Sequence, residues 1–144
     1  MTTLVVEADG GSRGNPGQAA CGAVVRDAIT GEVLAEHAER LGIATNNVAE
    51  YRGLIAGLRA AYGIDPDAEV EVRLDSKLVV EQMSGRWRIK DPTLRSLALE
   101  ARDIADGMSV TYRWVPREEN RAADALVNRA LDAGEESIVR MAEE

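Results

Sequence analysis

Along this chain, stretches in which apolar and polar residues alternate every second position give way to stretches in which apolar residues recur every three or four. In Leu4-Val5-Val6-Glu7-Ala8-Asp9, Leu4, Val6 and Ala8 share one face and Val5, Glu7 and Asp9 the other, which predicts a strand ending at Asp9. Residues 19–29 form an apolar run broken by Thr30-Gly31, and residues 32–41 alternate more weakly around Val33 and Leu34. These three segments predict an antiparallel meander. Val48, Tyr51, Leu54, Ile55 and Leu58 then recur at helical spacing, predicting a helix over 47–62 that stops at Gly63.

Alternation returns over 69–75, with Val70, Val72 and Leu74 opposite Glu71, Arg73 and Asp75, so a second aspartate ends a strand. A short helix over 76–83 is broken by Ser84-Gly85, and Asp91-Pro92 starts another that runs to about residue 106. Residues 110–115 predict a fifth strand with Val110, Tyr112 and Trp114 on one face, Trp114 being assigned to the core. Asn120 is placed to cap a last helix with an apolar stripe of Leu126, Val127, Ala130 and Leu131, closing at Gly134. Residues 135–144 are polar and predict a frayed tail or the start of a linker.

Composition narrows this to one domain of the α/β class. The chain has 144 residues, 45% of them hydrophobic, enough for a single full core and too few for two ordinary ones. It has no phenylalanine, so the core must be built from Ala, Val, Leu and Ile. The single cysteine, Cys21, excludes an intramolecular disulfide, and no basic-then-apolar leader or long apolar span is visible, so a cytoplasmic location is expected. A net charge of −8 argues against a general nucleic-acid coat protein. The charge is uneven, however: Arg86, Arg88, Lys90 and Arg95 oppose only Asp91 in one local patch, and Arg117 and Arg121 flank the last helix start.

Candidate chemistry centres on acids at element ends. Asp9 runs into Gly10-Gly11-Ser12-Arg13-Gly14-Asn15-Pro16-Gly17, a glycine-rich loop that allows another backbone to approach and offers short polar groups to a phosphodiester. Asp9 and Asp75 converge if their strands are parallel neighbours, because ligands of open α/β sheets gather beyond the carboxyl ends of strands. Each acid also has a purely structural reading. Glu50 lies three residues after Asn47, as a capping-box partner would; Asp75 is placed to cap the 76–83 helix; Asp124 in the first helical turn complements the macrodipole. His37, on the third strand and far in sequence from the acids, reads as a surface residue. Trp87 between Arg86 and Arg88 either stacks on a sugar or base or anchors its loop.

Taken together, the order βββαβαβα with Asp9, Glu50, Asp75 and Asp124 on strand one, the first helix, strand four and the last helix resembles type 1 ribonuclease H over residues 2–134. Four signatures carry the resemblance: residues 9–17, Thr-Asn-Asn-Val-Ala-Glu-Tyr at 45–51, Leu-Asp-Ser at 74–76 and Asn-Arg-Ala-Ala-Asp at 120–124. It implies a ribonuclease H-like fold, a five-stranded mixed sheet with helices on both faces, as a domain over 1–134. It also implies an endonuclease that cuts the RNA strand of RNA·DNA hybrids with little sequence preference. Two Mg²⁺ or Mn²⁺ ions, held by Asp9, Glu50, Asp75 and Asp124, would serve in-line displacement at a separation of about 3.5–4 Å.

By the same resemblance, Gly10, Gly11, Ser12, Asn15, Asn46 and Ser76 would line the RNA strand, Asn47 the DNA strand, and Thr45 a DNA phosphate. Arg86, Trp87, Arg88 and Lys90 are further nucleic-acid candidates. Two departures stand out. The loop before the last helix has Val115-Pro116-Arg117-Glu118-Glu119 where many relatives have a histidine, leaving Arg117 or Glu118 as candidates for its role, and only residues 84–92 stand where some relatives carry a long basic protrusion. The pattern is similar to a compact branch found at the N-terminus of longer actinobacterial proteins that also carry a phosphatase domain, so a fused C-terminal domain is an expected partner. The chain is expected to be monomeric and to bind no membrane. The competing readings are a catalytically weak or inert hybrid-binding module and a 3′-to-5′ exonuclease. The latter expects Asp-x-Glu on the first strand, where this chain has Asp9-Gly10-Gly11.

Overall fold

A computed structural model describes residues 2–133 and the backbone of 138–141. Its chain order is β1 (Thr3–Gly14), β2 (Gly17–Asp27), β3 (Val33–Ala44), α1 (Asn46–Ile64), β4 (Glu69–Leu74), α2 (Lys77–Met83), α3 (Pro92–Ala105), β5 (Ser109–Trp114), a 3₁₀ turn at Arg117–Glu119, α4 (Arg121–Ala133) and β6 (Ile138–Met141). The sheet runs β5-β4-β1-β2-β3-β6. β1, β2 and β3 form the expected antiparallel meander, and β4 joins β1 in parallel through the α1 crossover. The five expected strands are all present. A sixth short one, β6, pairs antiparallel with the outer edge of β3, so residues 138–141 extend the sheet where a frayed tail was expected. An open strand edge offers unpaired N–H and C=O groups, and a following segment can satisfy them.

The two faces of the sheet are covered unequally. Leu4, Val6 and Ala8 of β1 and Val70, Val72 and Leu74 of β4 pack with Tyr51, Leu54 and Leu58 of α1 and with Ala98 and Ala101 of α3 in the main core. On the opposite face α4 alone lays Leu126, Val127 and Ala130 on Ala20, Val24 and Ala38. The alternation read along β1 therefore separates a broad hydrophobic face from one that carries Glu7 and Asp9.

Two structural details differ from the sequence reading. The glycine-rich stretch after Asp9 is strand, not loop: Gly10 and Gly11 pair with Cys21 and Ala20, and only Asn15 and Pro16 turn the chain. Antiparallel pairing with β2 overrides the weak strand propensity of glycine here. Trp114 is also not core. β5 is an edge strand, and Trp114 is 47% exposed, with its indole N–H donating to the Asp75 carbonyl at 3.2 Å. Among the described residues, no helix is long and apolar enough to cross a membrane.

Candidate active site

The site arises where β4 ends before β1 does. Parallel pairing stops at Ala8↔Leu74, so Asp9 lies mid-strand yet is the first β1 residue with no β4 partner, and Asp75 is the residue just beyond β4. Side chains from helices on both faces can enter at that gap. On one side α1 comes so close to β1 that a Cβ on Gly10 would sit 2.1 Å from the Ala49 carbonyl carbon, and one on Gly53 would sit 2.4 Å from the Asp9 carbonyl oxygen. Glycine at both contacts is what lets the helix seat Glu50 against Asp9. On the other face Gly22 plays the same part for α4, since a Cβ there would meet the Ala123 carbonyl oxygen at 2.8 Å. Asp124 follows in the first turn of that helix.

Asp9, Glu50 and Asp75 each place a carboxylate oxygen within 4.8 Å of the other two. Asp124 joins them in lining a cleft of about 310 Å³ together with Gly10, Gly11, Ser12, Asn46 and Arg117. Burial first, and the Asp75 charge second, push the Asp9 carboxyl up to about 7. Glu50 is raised well above the ordinary carboxylate range by burial, the Asp9 charge and its hydrogen bond to Asp9. Asp75 is raised by burial, while Arg117 pulls it the other way. Among the described residues, Glu50 Oε2 is buried without a hydrogen-bond partner. A protein gains no stability from crowding acids in this way, but a hard divalent cation would supply both the missing charge and the missing contact. The residues present fit such an ion.

The capping readings of Glu50 and Asp75 fall away, while Asp124 does sit in the first turn of α4, as its macrodipole reading expected. Thr45, not Asn47, caps α1, its hydroxyl accepting from the Val48 N–H at 3.2 Å, so Glu50 lies beyond capping-box position. Ser76, not Asp75, caps α2, accepting from the Val79 N–H at 3.3 Å. Asn120 holds the position before α4, its carbonyl accepting from the Asp124 N–H at 3.1 Å, but among the described residues its side-chain oxygen makes no capping bond. It is fully buried, and its Nδ2 donates to the Ala8 carbonyl at 2.8 Å, taking up a β1 oxygen where β4 has ended and tying the start of α4 to the residue beside Asp9. Sequence reasoning missed that role because the partner lies 112 residues away.

The expected nucleic-acid contacts fall into two groups. Asn46 Oδ1 accepts from the Ser12 N–H at 2.9 Å and from the Ser12 hydroxyl at 3.1 Å, and the Asn46 N–H donates to Asn15 Oδ1 at 3.1 Å. This braces the β1–β2 hairpin against the start of α1 and leaves amide donors on Asn15 and Asn46 for a ligand. Asn15, Thr45, Asn47 and Ser76 do not themselves line the cleft. Arg86, Trp87, Arg88 and Lys90 lie in a separate loop, where Arg86 is doubly bonded to Glu81 at 2.6 and 3.1 Å and Trp87 is 43% exposed. Arg13, the cation of the glycine-rich stretch, lines the cleft, and so does Asn128, which was not singled out from sequence. Asn128, one turn after Asp124, donates to its backbone oxygen at 3.1 Å and its carboxylate at 3.4 Å; the i, i+4 spacing was the available signal. His37, expected at the surface, lies outside the cleft on β3 beside Glu39 and is half-buried.

A mixed sheet with this crossover and acids meeting at the end of its parallel pair defines the ribonuclease H-like fold. The chain belongs to the family described as reverse transcriptase-like, whose model matches residues 7–130. It is 55% identical over 135 residues to the "Bifunctional protein Rv2228c" of Mycobacterium tuberculosis, covering 93% of this chain and 37% of that protein. The solved N-terminal RNase H domain of that protein, fused to maltose-binding protein, superposes with a TM-score of 0.89 at 54% identity, covering 92% of this chain and 96% of that one. An LC11-RNase H1 solved in complex with an RNA/DNA hybrid gives a TM-score of 0.85 at 40% identity, with 90% and 97% coverage. The chain thus spans little more than a third of the curated relatives it first matches.

Proposed function

We propose that this domain hydrolyses the RNA strand of RNA·DNA hybrids, with little sequence preference, in a divalent-metal-dependent reaction. The observation that carries this is the convergence of Asp9, Glu50 and Asp75 within 4.8 Å, with an unpartnered buried oxygen on Glu50. Asp9, Glu50, Asp75 and Asp124 would hold two Mg²⁺ or Mn²⁺ ions, which when bound supply Lewis-acid stabilisation of the phosphorane charge and of the leaving 3′-oxygen. The chain's own residues do the rest. Asn46, Ser12 and the β1 backbone at Gly10 and Gly11 face the RNA strand, where a 2′-hydroxyl can both donate and accept and so distinguishes RNA from DNA. Arg117, lining the cleft and close enough to bias Asp75, orients the phosphate by charge.

Retention of all four acids argues against an inert binding module. The relative solved with an RNA/DNA hybrid supports the substrate class. We assign the nuclease to residues 1–134 of a chain whose longer relatives have room for a C-terminal partner domain, and a free, buried Cys21 suits a reducing cytoplasm. Labelled RNA·DNA hybrid, double-stranded RNA and double-stranded DNA, each incubated with Mg²⁺, Mn²⁺ or EDTA, provide the test. Cleavage confined to the RNA of the hybrid and abolished by EDTA is expected. Hybrid binding without cleavage under either metal would replace the enzyme with a binding module.

A further inference from the structure

The chain contains one cysteine and one histidine. The fold brings them together on the α1 face of the sheet, in a group that includes none of the four acids. Cys21 of β2 lies directly opposite Glu39 of β3 in register, and His37, two residues before Glu39, projects from the same face. A ligand atom from each of Cys21, His37 and Glu39 lies within 4.8 Å of the other two. His37 Nε2 and Glu39 Oε1 are 2.8 Å apart, with side-chain exposures of 20% and 30%, while Cys21 is fully buried behind them. The group is open to solvent on its imidazole and carboxylate side and closed at the sulfur.

We propose that Cys21, His37 and Glu39 form a second metal site, for a single Zn²⁺-like transition-metal ion. The donor set selects the class of ion: one sulfur, one imidazole nitrogen and one carboxylate oxygen suit zinc and its borderline neighbours, whereas Mg²⁺ and Ca²⁺ take oxygen. Three protein ligands leave a fourth position for water on the exposed side. Binding replaces the His37–Glu39 hydrogen bond with one metal bond to each residue and releases the Cys21 thiol proton to solvent. Without an ion that proton is held firmly, because burial and then the Glu39 charge push the thiol up to about 12. Arg52 of α1 faces the sulfur and opposes a cation, and Glu50 lies on the same side. The Cys21 thiolate and Glu39 carboxylate balance the ion's two charges, so Arg52 faces a neutral centre. The ion would tie β2 to β3 through ligands that the acid cluster does not share.

Cobalt tests this directly, because thiolate coordination produces a charge-transfer absorption that carboxylate sites cannot give, and Cys21 is the only possible source. Reduced protein titrated with Co²⁺ is expected to develop that band with one equivalent, and Zn²⁺ should bleach it. The band should persist in Asp9→Asn, disappear in Cys21→Ser, and need at least about tenfold more Co²⁺ in His37→Gln and in Glu39→Gln, since even indirect supports of a site typically cost 10–100-fold. Circular dichroism checks that each variant is folded, and the wild-type band needs no variant at all. No charge-transfer band at saturating Co²⁺ overturns the site. A band whose midpoint is unchanged in both His37→Gln and Glu39→Gln overturns it equally.

Discussion

The acid cluster and the basic loop over 84–91 carry comparable numbers of charges, yet the fold treats them in opposite ways. Each acid is held by a packed element: Asp9 inside β1, Glu50 on a helix pressed onto that strand, Asp75 at the end of β4, Asp124 in the first turn of α4. Their like charges are forced together at a cost in stability. In the loop, charge is partly neutralised and lies in solvent. Arg86 is bound to Glu81, and Arg95 donates to the carbonyls of Ile89 and Lys90, while the side chains of Arg88 and Lys90 have no ion pair or hydrogen bond among the described residues. Charges under constraint can do chemistry because their geometry is fixed beforehand; charges in a loop can only adjust affinity.

The sharpest way to break this comparison is to remove one constrained charge. Asp9→Asn keeps the shape of β1 and removes a carboxylate that faces both Glu50 and Asp75. Cleavage of a labelled hybrid should fall by roughly 10³-fold or more, since metal stabilisation of the transition state is worth several kcal/mol, while hybrid binding in a gel-shift assay is retained. Glu50→Gln should behave alike. Because Thr45 already caps the helix, the Glu50 variant should lose activity without losing helix content. Substantial Mg²⁺-supported turnover in Asp9→Asn would remove Asp9 from the metal set.

The same crowding predicts a stability effect of opposite sign. Asp9 has a carboxyl raised from 3.8 to about 7 in the fold, so between those values the folded state binds more protons than the unfolded chain. Stability of the metal-free protein therefore declines as pH rises through that window, and the whole penalty is present above it. In EDTA, wild type should lose on the order of 1–3 kcal/mol relative to Asp9→Asn between pH 4 and 8, a fraction of the shift because Asp9, Glu50 and Asp75 titrate together. Saturating Mg²⁺ or Mn²⁺ should restore the loss in wild type alone. Parallel pH profiles for the two proteins in EDTA would show that the cluster is not strained.

What could be read from the chain divides along similar lines. Alternation in β1 and β4 and helical spacing in α1 and α4 are local properties, so those four elements, and the places of Asp9, Glu50, Asp75 and Asp124 on or beside them, were legible. Features set by contacts distant in sequence were not. Nothing near Asn120 indicates that its amide serves Ala8, and nothing near Gly10 says that a second strand will hold it extended while Ala49 presses against it. Trp114 looked like core because its apolar character is local, but its exposure follows from β5 being a sheet edge, a property of topology. The strand at 138–141 lacked a readable signal for the same reason: its stabilising partner is the edge of β3.

A smaller effect is expected where one loop cation does enter the constrained region. Arg117, exposed on the 3₁₀ turn, lines the cleft beside Asp75 and Asp124, and Glu118 and Arg121 border an adjoining groove with it. If Arg117 steadies the phosphate during or after cleavage, Arg117→Ala should lower kcat about 10-fold to 100-fold with little change in hybrid affinity, the low end of what proton-transfer or charge assistance contributes. Glu118→Gln separates the two candidates for the absent histidine. Loss of one limb of the pH–rate profile in that variant would assign proton transfer to Glu118, whereas an unaltered profile shape leaves the role with Arg117. Wild-type rates in both would assign it to neither.

The weakest effect belongs to the loop itself, and its internal differences make it testable. Each cation that neutralises a phosphate releases counterions, so hybrid affinity should depend on salt with a slope of about 0.7–0.9 per contact. Among the described residues Arg88 and Lys90 are unpaired; Arg86 must first leave Glu81, to which it is bonded at 2.6 Å. Substituting Arg88 and Lys90 together by Ala should therefore flatten the log–log salt plot by nearly two units, whereas Arg86→Ala should change it little. Neither substitution should alter the metal requirement or the maximal cleavage rate, because no loop side chain reaches the acids. If Arg86→Ala flattens the plot as much as either neighbour does, the Glu81 pair opens on binding and the loop rearranges around the duplex. If none of the three changes the slope, these charges serve solubility, and hybrid binding is left to the hairpin and Asn46.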